Sequence, residues 1–236
     1  MIMDYFDVTL PTLPENLALD EALLLEAETG RGGELLRVWE WPRPAVVLGA
    51  GGRIVDDVDV AACDRDAVHL ARRASGGGTV LLGPGCLVYT VVLRYDRAAE
   101  LRDIRKSYRW ILSQITDALP GVAVEGSSDL VVGGRKIGGS AQQRKHHHLL
   151  HHGTLLYGFD LPLIGRYLRE PPRQPDYRDQ RPHAEFVVNL TVDASNLRDR
   201  LTSTWSAMPT QRSLPMTDVV RLVEEKYGRS EWVHRL

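Results

Sequence analysis

The chain has 236 residues, 43% hydrophobic and 25% charged, with 29 Lys plus Arg against 31 Asp plus Glu, a formal charge of −2. These figures exclude a disordered, collagen-like or low-complexity chain and suit a single domain whose core needs no disulfide or metal staple. No apolar run reaches about eighteen residues, so no membrane span is expected, and the near-neutral balance does not suit a dedicated nucleic-acid binder. The N-terminus carries acids early and lacks a basic start, so it does not read as a secretory signal. Two cysteines, Cys63 and Cys86, make no disulfide framework and point to a cytoplasmic setting.

Taken in chain order, residues 4–10 read as a short apolar strand. Residues 15–29 place Leu17, Ala18, Ala22 and Leu24 at helical spacing, with Gly30 as a stop. Residues 35–41 and 45–48 read as strands, and 56–67 as a short helix. Residues 68–73 and 87–94 read as strands flanking Gly76-Gly77-Gly78. The spacing of Ile104, Tyr108, Ile111, Leu112, Ile115 and Leu119 predicts a helix over 102–119, ended by Pro120-Gly121. Residues 129–132 and 135–142 form a hairpin through Gly133-Gly134, and 153–157 is a further strand. Residues 169–181 mix Pro171, Pro172 and Pro175 with four arginines and read as an extended loop. Residues 187–192 then return as a strand to the same sheet, and 217–227 is an amphipathic helix with Thr217 as N-cap and Gly228 beyond its end. Hairpins with intervening helices favour a mostly antiparallel α+β sheet.

The 21 glycines are grouped rather than scattered. Gly49, Gly51 and Gly52 form one group, Gly76–Gly78 with Gly83 and Gly85 a second, and Gly133, Gly134, Gly138 and Gly139 a third. Such groups suit loops that face one ligand, and suit plain hairpin turns equally. In Arg72-Arg73-Ala74-Ser75-Gly76-Gly77-Gly78-Thr79-Val80, glycine amides and adjacent guanidinium groups can hold an anion. The run is neither a Walker A loop nor a dinucleotide fingerprint, and a flexible turn with a surface arginine pair remains open. Lys136 lies between apolar strand residues and Gly138-Gly139-Ser140-Ala141. Near a pocket, its ammonium would neutralise a phosphate or polarise a carbonyl; on an open hairpin it would simply be solvated. Five of the eight histidines fall in 146–152. On a strand His146 and His148 would share one face and His147 the other, so a structural metal is not expected; a solvated run ending in one useful residue, His152, fits better.

These segments together carry a resemblance. Arg72-Arg73-x-Ser75-Gly76-Gly77-Gly78-x-Val80, Gly83-Pro84-Gly85-Cys86-Leu87-x-Tyr89, Asp129-Leu130, Arg135-Lys136-Ile137-x-Gly139-Ser140-Ala141-Gln142 and His152-Gly153-Thr154-Leu155-Leu156 resemble the lipoate-protein ligase and octanoyltransferase family, over about residues 1–192. The resemblance implies an α+β fold similar to class II aminoacyl-tRNA synthetases and biotin-lipoate ligases, with a mixed, mostly antiparallel sheet flanked by helices. It implies one catalytic domain over 1–236, with a short helical extension after about 195 and no large accessory domain. It implies activation of lipoate or octanoate by ATP and Mg²⁺ to an acyl-adenylate, then transfer to a lysine of a lipoyl domain or glycine-cleavage H-like protein. By motif match, Arg72, Ser75, Gly76, Gly77, Gly78, Thr79 and Val80 would line the acyl chain and adenylate, joined by Gly139, Ala141, His152 and Thr154. Lys136 would contact the acyl carbonyl and α-phosphate, and Asp129 would hold Mg²⁺ or orient the incoming lysine. A basic rim of Arg135, Arg144, Lys145, Arg169, Arg173 and Arg178 would meet an acidic acceptor. Either a separate accessory subunit would replace the C-terminal domain that many such ligases carry, or the enzyme would manage without one.

The family also holds acyl-carrier-dependent transferases that use a catalytic cysteine. Residues 121–128 contain no cysteine, and none follows Cys86. Asp64 and Asp66 beside Cys63 would raise its pKa. A transferase using Cys86 or Cys63, and a lipoyl-binding module without chemistry, stand as the alternatives to the ligase.

Overall fold

The computed structural model describes residues 3–236. Its strands are β1 (Met3–Asp7), β2 (Leu35–Glu40), β3 (Ala45–Leu48), β4 (His69–Arg72), β5 (Val80–Leu82), β6 (Cys86–Arg94), β7 (Ala123–Glu125), β8 (Asp129–Val132), β9 (Arg135–Arg144), β10 (His148–Leu156) and β11 (Ala207–Pro209). Its α-helices are α1 (Leu13–Glu28), α2 (Ile54–Asp57), α3 (Val60–Arg65), α4 (Ile104–Ala118), α5 (Pro162–Tyr167), α6 (His183–Phe186), α7 (Ala194–Trp205), α8 (Met216–Leu222) and α9 (Ser230–Val233). Eight strands form one sheet in the order β11-β1-β2-β6-β10-β9-β8-β7, and β4-β3-β5 form a second. In the large sheet β1 runs parallel to β2 and β11, and the remaining pairs are antiparallel. The fold is therefore the mixed, mostly antiparallel α+β sheet that the sequence suggests. Among the described residues no helix is long and apolar enough to cross a membrane.

The central strand β6 reads CLVYTVVLR and is buried on both faces up to Arg94. Its alternation explains why. Cys86, Val88 and Val92 join a core shared with α1 and the small sheet, whereas Leu87, Tyr89, Val91 and Leu93 join a core under α4 and α7. Both faces are covered, so apart from Thr90, which has a buried partner, the strand reads as a continuous apolar run. Helix α1 starts at a capping box: Thr12 Oγ1 accepts from the Glu15 amide, and Glu15 Oε2 accepts from the Thr12 amide at 2.8 Å. The helix is buried over most of its circumference, including Asn16, Asp20 and Glu21, and lies between the sheets and α8.

Four polar side chains in this buried layer bond to one another. Arg37 on β2 is fully buried; its guanidinium donates to Asp20 Oδ1 at 2.5 Å, to Asn16 Oδ1 at 2.7 Å and to the Asn16 and Val8 carbonyls. Thr90 on β6 donates to Asp20 Oδ2 at 2.9 Å. Burial pushes the Asp20 carboxyl up, but Arg37 and His152 outweigh it and hold the group below the ordinary carboxylate range.

Several expectations need correction. The 56–67 helix is two helices, because Val58 is extended and bridges Leu168, and Asp59 then caps α3 by accepting from the Ala62 amide. The 187–192 segment is not a strand. Only Val187 bridges Lys136, and the Val188 and Leu190 amides donate singly to the Lys136 and Leu156 carbonyls. Thr217 does not cap its helix: Pro215 holds that position, and the helix ends in a π-helical turn, Val223–Tyr227, at Gly228. β10 begins at His148 rather than at residue 153. The three-residue strands β5 and β7 are too short for a periodicity to show. Helix α7 had a readable signal, Leu197, Leu201 and Trp205 at i, i+4 and i+8 behind the cap Asp193.

Arg37→Met leaves Asp20 buried without its cation, and the expected cost is about 3–5 kcal/mol in urea denaturation at pH 7. Because the folded Asp20 carboxyl titrates below its unfolded value, its stabilising contribution is present above about pH 4 and fades as pH falls through the folded value. The gap between wild type and Arg37→Met should therefore narrow in acid.

Candidate active site

A cleft of about 670 Å³ opens where the small sheet meets the large one. Its inner wall is apolar: Leu17 from α1, Trp39 from β2, Val47 from β3, Val80 and Leu82 from β5 and Val88 from β6. Its mouth is polar, formed by Gly77, Gly78, Thr79, Asp129, Lys136, Gly139, His152 and Thr154. A second chamber of about 1160 Å³ shares Gly78, Thr79, Val80, Asp129, Lys136, Gly139 and Thr154 with the first, and adds Asp57, Arg169, Arg173, Arg178 and His183. One cleft thus has an apolar half and an arginine-rich half, with Lys136 at their junction. Such a shape fits a molecule with an aliphatic tail and an anionic head.

Lys136 and Asp129 face each other across the β8–β9 hairpin, with Nζ 2.8 Å from Asp129 Oδ1. The hairpin turns at Gly133 and Gly134, both at positive φ (56° and 71°), which glycine adopts without strain. Tyr177, from the proline-rich loop, donates its hydroxyl to Asp129 Oδ2 at 2.7 Å. Burial and the Asp129 charge push that phenol far above its ordinary value, so it stays a donor. Both Asp129 oxygens are therefore engaged. The expectation that Asp129 holds Mg²⁺ does not fit this arrangement, in which Lys136 and Tyr177 already occupy its two oxygens. Asp129 instead orients Lys136.

His152 sits at the mouth with both ring nitrogens engaged. Nε2 lies 2.6 Å from Ser75 Oγ, and Nδ1 lies 3.5 Å from Asp20 Oδ2. Arg73 Nε, which can only donate, gives its proton to Ser75 Oγ at 3.0 Å. In the neutral imidazole the Asp20 carboxylate, which can only accept, takes the Nδ1 proton, so Nε2 accepts from the Ser75 hydroxyl, whose oxygen keeps a lone pair for Arg73. Arg73 also donates to the carbonyls of Gly76 (2.6 Å), Gly78 (2.8 Å) and Val47 (3.2 Å). Burial pushes Arg73 down to about 10, so it remains a cation at neutral pH.

The structure brings Lys136, Asp129, Gly77, Gly78, Thr79, Val80, Gly139, Ala141, His152 and Thr154 to one cleft. Ser75 and Gly76 stand behind that wall and act on it through His152 and Arg73. Arg72 is a correction. It is fully buried and absent from the cleft wall; its guanidinium donates to the carbonyls of Gly49, Gly52, Trp232 and Val233. Neighbouring residues on an extended chain point to opposite faces, so Arg73 takes the cleft and Arg72 the other side. The pair was legible in the sequence; which member faces the cleft was not. Trp39, Leu17, Asp57 and Tyr177 were missed, because single residues on separate elements carry no motif. Thr79 Oγ1 donates to Asp57 Oδ2 at 2.6 Å, which fixes the loop beyond the glycines.

The proposed acceptor rim also needs correction. Arg144 is spent on the Leu101 carbonyl and the Tyr95 ring, and Arg178 is buried against Glu170 and Phe186. Arg169 and Arg173 line the second chamber. The histidine run does not form one strand either. His146 and His147 lie in a bend before β10, where their rings meet edge to face and, with Glu28, offer ligand atoms within 4.8 Å of one another. The Glu28 carboxylate there accepts from the His147 and His148 amides and lies 3.1 Å from His148 Nδ1.

Cys63 and Cys86 are both buried free thiols, and neither borders the cleft. Burial, with Asp59, Asp64 and Asp66, pushes the Cys63 thiol up to about 11. Burial and Glu40 push Cys86 up further.

The family model for the lipoyl protein ligase A/B catalytic domain matches residues 12–203. The chain belongs to that family. It is 32% identical over 175 residues to the octanoyltransferase LipM of Carboxydothermus hydrogenoformans, covering 66% of this chain and 65% of that protein. It is 28% identical over 186 residues to the probable lipoate-protein ligase A of Mycoplasma pneumoniae, covering 77% of this chain but 53% of that one. The bipartite lipoate protein ligase of Thermoplasma acidophilum, solved with its E2 lipoyl domain, shares the fold at a TM-score of 0.85, with 23% identity over 99% of this chain and 96% of that one. A lipoate-protein ligase A bound with ATP shares it at 0.83, with 22% identity over the whole of both chains.

With both thiols buried and protonated, native protein at pH 8 should resist alkylation by iodoacetamide, whereas unfolded protein should gain two adducts by intact mass. Rapid labelling of either thiol in the native state would contradict this arrangement.

Proposed function

We propose that this chain is the catalytic component of an ATP-dependent lipoate-protein ligase. It would activate lipoate or octanoate to the acyl-adenylate and pass the acyl group to a lysine of a lipoyl domain or H-like protein. The observation that carries the proposal is the cleft: an apolar chamber that ends at a lysine, opens onto arginines and has no thiol on its wall. The Val80, Leu82 and Val88 wall suits the aliphatic chain, and the Gly77–Thr79 backbone and Lys136 suit its carboxylate. Arg169 and Arg173 suit the nucleotide phosphates.

In the first step a carboxylate oxygen attacks the α-phosphorus, and pyrophosphate leaves. Charge builds on the non-bridging oxygens, where Lys136, held by Asp129, supplies a cation. In the second step the acceptor ε-amine attacks the acyl carbonyl and AMP leaves. Neither step needs a protein nucleophile. We place the reaction in the cytoplasm and read residues 1–236 as a catalytic domain that works either with a separate accessory subunit or without one.

The similarity to octanoyltransferases supports a second reading, an acyl-carrier-dependent transfer through a thioester. The position of both cysteines weighs against it. A lipoyl-binding module without chemistry is weighed down by the Lys136–Asp129 pair, which a mere binding pocket does not require.

The two enzymatic readings part on one assay. Lipoate-dependent exchange of labelled pyrophosphate into ATP is expected for the ligase, and its absence, with or without an accessory protein, sinks that reading. Lys136→Ala should lower the exchange by about 10²–10³. Replacing Cys63 and Cys86 together by serine should leave it; a trapped acyl-enzyme that vanishes in that variant would establish the transferase.

A further inference from the structure

We infer that residues 230–236 are a working part of the glycine loop: through Arg72 they hold the 49–52 turn on which Gly76-Gly77-Gly78 is seated. The inference rests on the reading of that loop as the acyl and phosphate site. It concerns a segment beyond residue 203, where the family model ends.

Arg72 is a buried cation whose partners are carbonyls. It is 0% exposed, and among the described residues no carboxylate lies within ion-pair distance. Its donors divide between two pieces of chain. Nε donates to the Trp232 and Val233 carbonyls at 3.1 and 3.0 Å, and Nη2 to Val233 at 2.7 Å. Nη1 donates to Gly49 at 2.9 Å and Gly52 at 2.7 Å. The first set are the last carbonyls of α9, which lack partners within their own helix and are ready acceptors for a guanidinium. The contact is reciprocal, for the Trp232 indole donates to the Arg72 carbonyl at 2.8 Å. Arg235 stacks on the Trp232 ring at 3.9 Å and donates to the Ala50 carbonyl, so the same segment grips the 49–52 turn a second time.

The turn in its place presses on the glycine loop. The Ala50 amide donates to the Ser75 carbonyl at 2.8 Å. A Cβ on Gly49 would lie 2.0 Å from the Gly77 oxygen, so the two backbones are in direct contact without slack. Removing 230–236 takes three of the five hydrogen bonds from Arg72 and leaves a buried cation short of acceptors. The turn must then move to hydrate it, and the glycine loop loses its seat. Arg72 and Trp232 are positioning residues in this account: neither borders the cleft.

Hydrogen–deuterium exchange tests the inference on the full chain, on a chain ending at residue 229 and on Arg72→Lys, alongside lipoate titration and the KM for lipoate in pyrophosphate exchange. A lysine keeps the charge but lacks the planar fork that spans both sets of carbonyls. Both variants should exchange faster by about tenfold or more at amides 49–52 and 75–79, with β6 and β10 unchanged, and should raise KM by a similar factor with a smaller change in kcat. Adding Arg72→Met to the shortened chain should bring back part of the lost protection, because no cation is then left without acceptors. If the shortened chain does not fold, Arg72→Lys decides the matter alone. Unchanged protection in Arg72→Lys, or a rise spread evenly through β6 and β10, overturns the inference. Local loss of protection with unchanged lipoate affinity upholds the clamp and overturns the glycine loop as the acyl site.

Discussion

The buried pair between Asp20 on α1 and Arg37 on β2 is the interaction on which the rest of the structure hangs. A guanidinium and a carboxylate in a dry layer are tolerable only when nearly all their donors and lone pairs are placed, and here Asn16, Val8 and Thr90 join Asp20 to leave only the Arg37 Nε proton without a partner. That demand fixes the rotation and height of α1 against the sheet far more tightly than leucine packing would. The second Asp20 oxygen then reaches His152, and the order of donors runs on through Ser75 to Arg73 and the carbonyls of the glycine loop. A helix placed for reasons of burial thereby sets the proton on an imidazole at the mouth of the cleft.

Two adjacent arginines show how little of such an arrangement a motif conveys. Arg72 and Arg73 are both buried, both bonded to backbone carbonyls, and both hold glycine loops, from opposite sides of one strand end. Neither meets a carboxylate. Each exchanges water for several peptide oxygens, which keeps a cation stable inside the protein while leaving no side chain free to be traded away.

Much of the site was legible before any coordinates. Lys136, Gly77, Gly78 and His152 stand in runs that are weak singly and specific only in combination and order, and Gly133-Gly134 signalled the hairpin that β8 and β9 form. What could not be read depended on long-range partners. Tyr177 reaches Asp129 across 48 positions, and the carbonyls that hold Arg72 lie up to 161 positions away. The 187–192 segment reads like a strand, yet after one bridge to Lys136 its amides bond carbonyls on two different strands, Lys136 on β9 and Leu156 on β10, so no ladder forms. The histidine run misled in the other direction: its bend after Lys145 brings two rings together that strand alternation would have separated.

The shared wall of the two chambers has a thermodynamic consequence. Gly78, Thr79, Val80 and Lys136 belong to both. An occupant of the apolar half that shifts this wall alters the free energy of whatever sits in the arginine-rich half. By linkage the reverse effect must be of equal size. An occupant that seats poorly in the apolar half is therefore felt as a weaker grip in the arginine-rich half, and discrimination among occupants of one half can be read out in the other.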